Sequence, residues 1–289
     1  MRPSANKLVA TVVLVVSSVL STPSMAPAGE DIYLLTATNE LLRADTDDPG
    51  STLSSVSITG LAEGESVLGI DFRSAGGDEL LYLLGSSSRL YVMPNLEEGK
   101  AVAVGTTFSP RMRGSEFGFD VDPRTDQIRV VSDENQSFDL DPASGQVIGP
   151  LWSEVYVDGV GEPSLVGAAY AHRNEGSIAS QIFMIDAGLD LLVSPDGRAN
   201  GEVTGIGPLG IDVADMLGFD ISSVSGLAYA GLDVGGQVGL YSIDLETGRA
   251  SALGDFGPGA QVRAMSISSR PVPVPVVRKS WGGLKASYR

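Results

Sequence analysis

The chain has no cysteine, a single histidine, little lysine and few aromatic residues. Each absence closes off some chemistry. Without cysteine there is no disulfide, thiol nucleophile or thiolate metal site, so stability must come from buried area, which 289 residues permit. The lone His172 leaves a zinc site with only carboxylates as further ligands and a Ser–His–Asp triad with one candidate base. No Gly-x-Ser-x-Gly elbow accompanies it, and its setting, "AAYAHRN", reads as a surface position. Long runs of Ala, Glu, Lys and Leu are also missing, which disfavours helix. With 36 glycines to supply turns, the composition reads as all-β.

Both ends differ from the middle. "MRPSANK" carries Arg2 and Lys7, "LVATVVLVVSSVL" (Leu8–Leu20) is apolar, and Ala26-Pro27-Ala28 follows. That order predicts a signal peptide over residues 1–28, cleaved after Ala28, and export to the periplasm, cell surface or medium. The apolar run falls short of the roughly 20 residues a spanning helix needs, so no transmembrane span is expected in the mature form. Residues 270–289 open on alternating Pro-Val, which favours polyproline II, and hold five bases and no acid. They form a candidate sorting or anchoring segment. Setting both ends aside leaves residues 29–269 with 12 bases against 36 acids, a net charge of −24. Such a field repels nucleic acid and anionic lipid and suits cations, or serves only solubility. The expected partner is a ligand or surface protein of unknown identity, met by a monomer.

A repeat organises the middle. "VLGIDF", "EFGFDV", "LVGAAY", "MLGFDI" and "VRAMSI" align on Gly69, Gly118, Gly167, Gly218 and Ala264, at spacings of 49, 49, 51 and 46. After each of the first four come three short runs rich in Val, Ile, Leu and Tyr, broken by Gly, Pro, Asp and Asn. Four strands at a period near 49 predict a β-propeller blade. The fifth anchor has no followers, but "DIYLLTA", "NELLRAD" and "TLSSVSI" near the start supply the three missing strands. The expectation is a five-bladed propeller over residues 29–269, closed by three N-terminal strands and one C-terminal strand.

The acids need a reading of their own. "DVDPRTDQ", "DLDPASGQ" and "IDLETGRA" recur at matching hairpins, with "MPNLEEGKA" a weaker copy. An Asp before such a turn caps it with its side chain, Pro presets φ, and Gly accepts positive φ. A Ca²⁺ loop is the competing reading: Asp120, Asp122 and Asp126 are the candidate ligands, without the Gly and distal Glu such loops carry. Apart from Ca²⁺, no cofactor is indicated. Arg129 is expected to pair with a neighbouring Asp. "TGIGPLG" matches a dinucleotide-binding glycine pattern only in letters, since Pro208 interrupts it and no βαβ unit surrounds it. The stretch Trp152–Pro163 is expected either to decorate one face or to extend the outer strand of its blade, with Trp152 and Tyr156 as candidate ligand contacts.

Asp71, Asp120 and Asp220 hold one equivalent position on the strand that lines the channel in three blades. They are the candidate catalytic residues if the protein is an enzyme. The alternative is structural: each would accept hydrogen bonds from the adjacent blade.

The segments "GIDFR", "FGFDVDPRTDQIRVVSDENQSFDLDPASG", "GAAYAHRN", "LYSIDLETGRASALG" and "VRAMSI" together resemble an exported bacterial family known as domain of unknown function 4394. The similarity covers nearly all of Asp31–Ser269. Its most specific block, Phe117–Gly145, resembles F-G-F-D-x-N-P-x-x-D-R-I-R-V-V-S, with Asp122 in place of Asn and Gln127 in place of Arg. The resemblance implies a β-propeller with export, often followed by a sorting tail, and transfers no catalytic residue. The functional expectation is therefore a non-catalytic binding or interaction module. A channel-centred carbohydrate hydrolase or lyase, possible with Ca²⁺, is the alternative.

Overall fold

A computed structural model of the protein describes residues 29–75, 77–152, 155–156, 162–171, 181–195, 201–213, 215–257 and 261–270. His172, the leader and the basic tail lie outside them. All regular structure among the described residues is β. In chain order, β1 (Asp31–Thr36), β2 (Glu40–Asp45) and β3 (Ser54–Ser57) come first. The Gly69 blade follows as β4 (Val67–Ala75), β5 (Asp78–Gly85), β6 (Arg89–Met93) and β7 (Val102–Val104). The Gly118 blade is β8 (Phe117–Val121), β9 (Ile128–Ser132), β10 (Ser137–Leu140) and β11 (Val147–Trp152). After β12 (Val155–Tyr156), the Gly167 blade is β13 (Leu165–Ala171), β14 (Gln181–Asp186), β15 (Leu191–Pro195) and β16 (Glu202–Pro208). The Gly218 blade is β17 (Asp215–Ile221), β18 (Ala228–Val234), β19 (Gln237–Ile243) and β20 (Ala250–Asp255), and β21 (Val262–Ile267) ends the ring.

Each blade is an antiparallel meander, and β21 joins β1–β3 as the innermost strand of the closure blade. Strand β1 is paired on both sides, with Leu34 opposite Leu42 on β2 and Met265 on β21. The innermost strands touch in the order β4, β8, β13, β17, β21 and back to β4, which closes a five-membered ring. This is the five-bladed β-propeller with the three-plus-one closure that the repeat spacing predicts.

Burial falls from the ring outward. Five of the six leading residues of β1 and the first six of β13 are buried or nearly so, whereas β3, β7 and β20 are mostly exposed. The core is divided into clusters that sit between blades. One joins Leu35 and Ala264 of the closure blade to Ile70 and Leu83 of the next; another joins Tyr82 and Leu90 to Phe119 and Phe138. Blade faces therefore bury apolar area against their neighbours, so no blade keeps its core without them.

Of Trp152–Pro163, expected to decorate one face or to extend the outer strand of its blade, residues 152, 155–156 and 162–163 are described. Trp152 ends β11, and Val155–Tyr156 pairs in parallel with Glu202–Val203 of β16 as a fifth strand of the Gly167 blade. A two-residue parallel strand has no alternation to read, and it covers part of an edge that would otherwise be unpaired.

Candidate functional site

The anchor glycines explain how the site is assembled. A Cβ on Gly118 would stand 2.6 Å from Ala168 N, and one on Gly218 2.5 Å from Met265 N, both on the next blade's inner strand. On Gly69 it would meet Phe119 at 2.8 Å. Glycine is thus required where inner strands approach each other. Two residues further along, the strand turns a carboxylate toward the same neighbour.

Asp71 Oδ2 accepts the Val121 amide at 2.8 Å, Asp120 Oδ2 the Tyr170 amide at 2.7 Å, and Asp220 Oδ2 the Ile267 amide at 2.6 Å. In each case the donor follows the equivalent position of the next blade. Ala169 and Ser266 occupy that position in the other two blades and break the pattern. Since Ala169 has no acceptor to offer Ile221, that amide turns to its own neighbour, Asp220 Oδ1, at 2.6 Å. Ser266 is too short to reach the Phe72 amide, which stabilises the Asp71 carboxylate instead.

The three carboxylates converge: one oxygen from each lies within 4.8 Å of those of the other two. All three residues are buried, between 4% and 7% exposed. Burial pushes the pKa of all three upward, and for Asp71 and Asp120 the neighbouring carboxyls push further. Asp220 is pushed up to about 6 by burial, against the amides of Ile267 and Ile221 and the Ser266 hydroxyl.

Beside them is a cavity of about 100 Å³, the share of roughly three waters in the liquid. It extends from the trio to Arg73, Asp126, Glu79 and Ser269. Arg73 is its lining cation, and Arg73 Nε donates to Asp126 Oδ1 at 2.6 Å, a bridge from the Gly69 blade to the Gly118 blade. Glu79 accepts from Ser268 Oγ at 2.6 Å and from the Ser269 amide at 2.7 Å, which fixes the end of the closure strand at this rim. On the opposite side of the closure, Glu30 accepts from Ser225 Oγ at 2.8 Å and Tyr229 Oη at 3.2 Å.

The other acids of the repeat are turn residues. Asp122 Oδ1 takes the Arg124 amide at 2.9 Å, Asp141 the Ala143 amide at 3.1 Å, and Asp244 the Glu246 amide at 2.9 Å. Thr125 and Ser144 hydroxyls complete the first two turns. Asp122 is thus turned into its hairpin and Asp126 bonded to Arg73, while Asp120 meets Asp71 and Asp220. Arg129 pairs with Asp139 at 2.8 Å. Gly205 and Gly207 of the literal glycine pattern lie within β16, and Gly210 follows its end. Trp152 and Tyr156 end up on strands of two different blades.

Asp71, Asp120 and Asp220 are the residues among those described that could jointly hold a cation. Each has already committed an oxygen to an amide. The three that converge are at most half of the roughly 6–8 oxygens Ca²⁺ takes, so further ligands such as water would have to complete the shell.

Five blades, three of them joined to the next at the centre by a Gly-x-Asp unit, define a β-propeller scaffold. The chain belongs to the family described as "Domain of unknown function (DUF4394)", which matches residues 40–266. No curated protein matches it. Several solved structures are similar. Glutaminyl cyclase of Myxococcus xanthus is 12% identical over 74% of this chain and 95% of its own, with a TM-score of 0.44. A protein described as a putative gluconolactonase is 14% identical over 82% and 80%, at 0.47. Catalytically inactive virginiamycin B lyase of Staphylococcus aureus, solved with quinupristin, is 8% identical over 83% and 75%, at 0.46. At these identities the likeness is one of fold alone. Among the described residues no helix is long and apolar enough to cross a membrane.

Proposed function

We propose that this protein is a non-catalytic β-propeller that serves as a binding or interaction module through one of its faces, its channel acids being structural. The observation that carries the reading is the commitment of Asp71, Asp120 and Asp220 to the amides of Val121, Tyr170 and Ile267. Size supports it. Small-molecule sites run to about 300–1,000 Å³, well above the cavity of about 100 Å³. The N-terminal order of bases, apolar run and Ala-Pro-Ala is the ground for placing the protein outside the cytoplasm.

A channel-centred carbohydrate hydrolase or lyase is the second reading, favoured by three buried carboxyls with raised proton affinity, the property a general acid needs. The two readings separate on a polysaccharide panel offered to the full chain and to Asp120→Asn, with released ends and bound ligand both measured. The binding-module reading expects no release and the same binding in both proteins. Release by the wild type that Asp120→Asn abolishes would overturn it.

A further inference from the structure

Ser266 Oγ lies 2.8 Å from Asp71 Oδ1 and 2.9 Å from Asp220 Oδ2. A serine hydroxyl carries one hydrogen. It can donate to one of these carboxyls, and the second contact is a hydrogen bond only if that carboxyl brings a hydrogen of its own. Two fully ionised carboxylates flanking this hydroxyl would leave one pair of oxygens at hydrogen-bond distance with nothing between them.

From this geometry we propose that the centre of the propeller is a proton-holding clasp: Asp71 Oδ1–H donates to Ser266 Oγ, Ser266 Oγ–H donates to Asp220 Oδ2, and loss of the held proton loosens the joints on both sides of the closure strand. The direction of the chain follows from the other donors. Asp220 accepts its amides at 2.6 Å each, shorter than the 2.8 Å from Val121 to Asp71, and these favour its charged form more strongly. Asp71 Oδ1 faces the hydroxyl while Oδ2 takes the Val121 amide at 2.8 Å, so Oδ1 is the oxygen placed to give a hydrogen to Ser266. Asp120 brings the Gly118 blade to the same centre, one of its oxygens within 4.8 Å of those of Asp71 and Asp220.

Among the described residues the nearby side-chain cations are engaged elsewhere. Arg73 is bonded to Asp126, and Arg270 lies at the rim, 3.8 Å from Glu79 and Asp78. Glu79 is held by Ser268 and Ser269, and Glu30 adds negative potential at Asp220. From β13 the facing titratable group is Tyr170, which burial keeps neutral. The clasp joins the Gly218, closure and Gly69 blades, where β1 and β21 pair to close the ring.

The sign of the pH effect follows from linkage. These carboxyls bind protons more tightly folded than unfolded, so their contribution is fully present below about pH 4. It declines as pH rises through about 6 for Asp220, and further up for Asp71 and Asp120, which burial and their carboxyl neighbours hold higher.

The test combines infrared spectroscopy of the full chain with urea unfolding between pH 5 and 9. At pH 7 the folded wild type is expected to show a protonated-carboxyl band that is lost on raising the pH. Its unfolding constant should rise up to about tenfold per pH unit for each proton held. Asp71→Asn keeps an acceptor for Val121 and supplies a permanent N–H to Ser266, so it should weaken the band, flatten the pH slope and gain on the wild type as pH rises. No protonated carboxyl at pH 7 in the wild type, or an unchanged slope in Asp71→Asn, would overturn the proposal. Should the variant fail to fold, the wild-type spectrum still decides.

Discussion

The Tyr170 amide donates to Asp120 Oδ2 across a blade boundary at 2.7 Å, and Tyr170 directly follows Ala169, the residue that breaks the ring of acids. Asp120 therefore serves a neighbour that gives no equivalent bond onward. Asp120→Ala leaves a buried amide unpaired and should destabilise by about 1–3 kcal/mol in urea unfolding. Asp120→Asn keeps the acceptor and should lose less than half as much. Equal losses would mean that the charge, not the acceptor, matters.

Gly118 tests the close approach. An added Cβ meets backbone atoms of Gly167 and Ala168 at 2.7 and 2.6 Å, so relief requires moving one inner strand off another. Gly118→Ala should destabilise by at least about 3 kcal/mol, the upper end for overpacking. Gly64 is the control: its φ is +72° and nothing lies within 4 Å, so alanine there meets only backbone strain of about 1–2 kcal/mol. Thermal unfolding of the two variants should rank them in that order.

Ending the chain at Gln261 removes β21. Val262, Met265 and Ile267 are buried, and losing three such side chains forfeits roughly 5–9 kcal/mol, comparable with the whole stability of a domain, about 5–15 kcal/mol. The truncated protein should lack a cooperative melt altogether. A melt unchanged from the full chain would show that the ring does not depend on its closure strand.

Calcium gives a further check. With each of the three converging carboxylates already bonded to an amide, millimolar Ca²⁺ or EDTA at pH 6 should leave the melting temperature unchanged. Binding at a hundred times Kd would add about 2.7 kcal/mol, which a thermal shift would register. A Ca²⁺-dependent rise lost in Asp120→Asn would put a cation among the three acids.

The blades were legible because the anchor position recurs at a near-constant period, with Gly69, Gly118 and Gly218 sterically required there, and the turn acids because Asp122, Asp141 and Asp244 act on amides two residues away. The alignment also brought Asp71, Asp120 and Asp220 to one ring position. It did not reveal which amide each accepts, or that Ser266 lies between two of them. Those contacts depend on neighbours 46 to 195 residues distant. The grip of Glu79 on Ser268 and Ser269 was hidden for the same reason. Glu79 belongs to no repeated motif, and its partners are serines like many others in the chain.

Strand β1 pairs with β2 on one side and β21 on the other, and the Ser268 amide donates to Asp31 O at 3.0 Å. The two ends of the propeller thus meet at the same corner of one sheet. Chain order and ring order are therefore separable: residues 29 and 270 could be joined by a short linker and new ends opened at the exposed Gly64 turn. Such a circular permutant would carry the Gly69 anchor near its new start and an uninterrupted chain through the former seam.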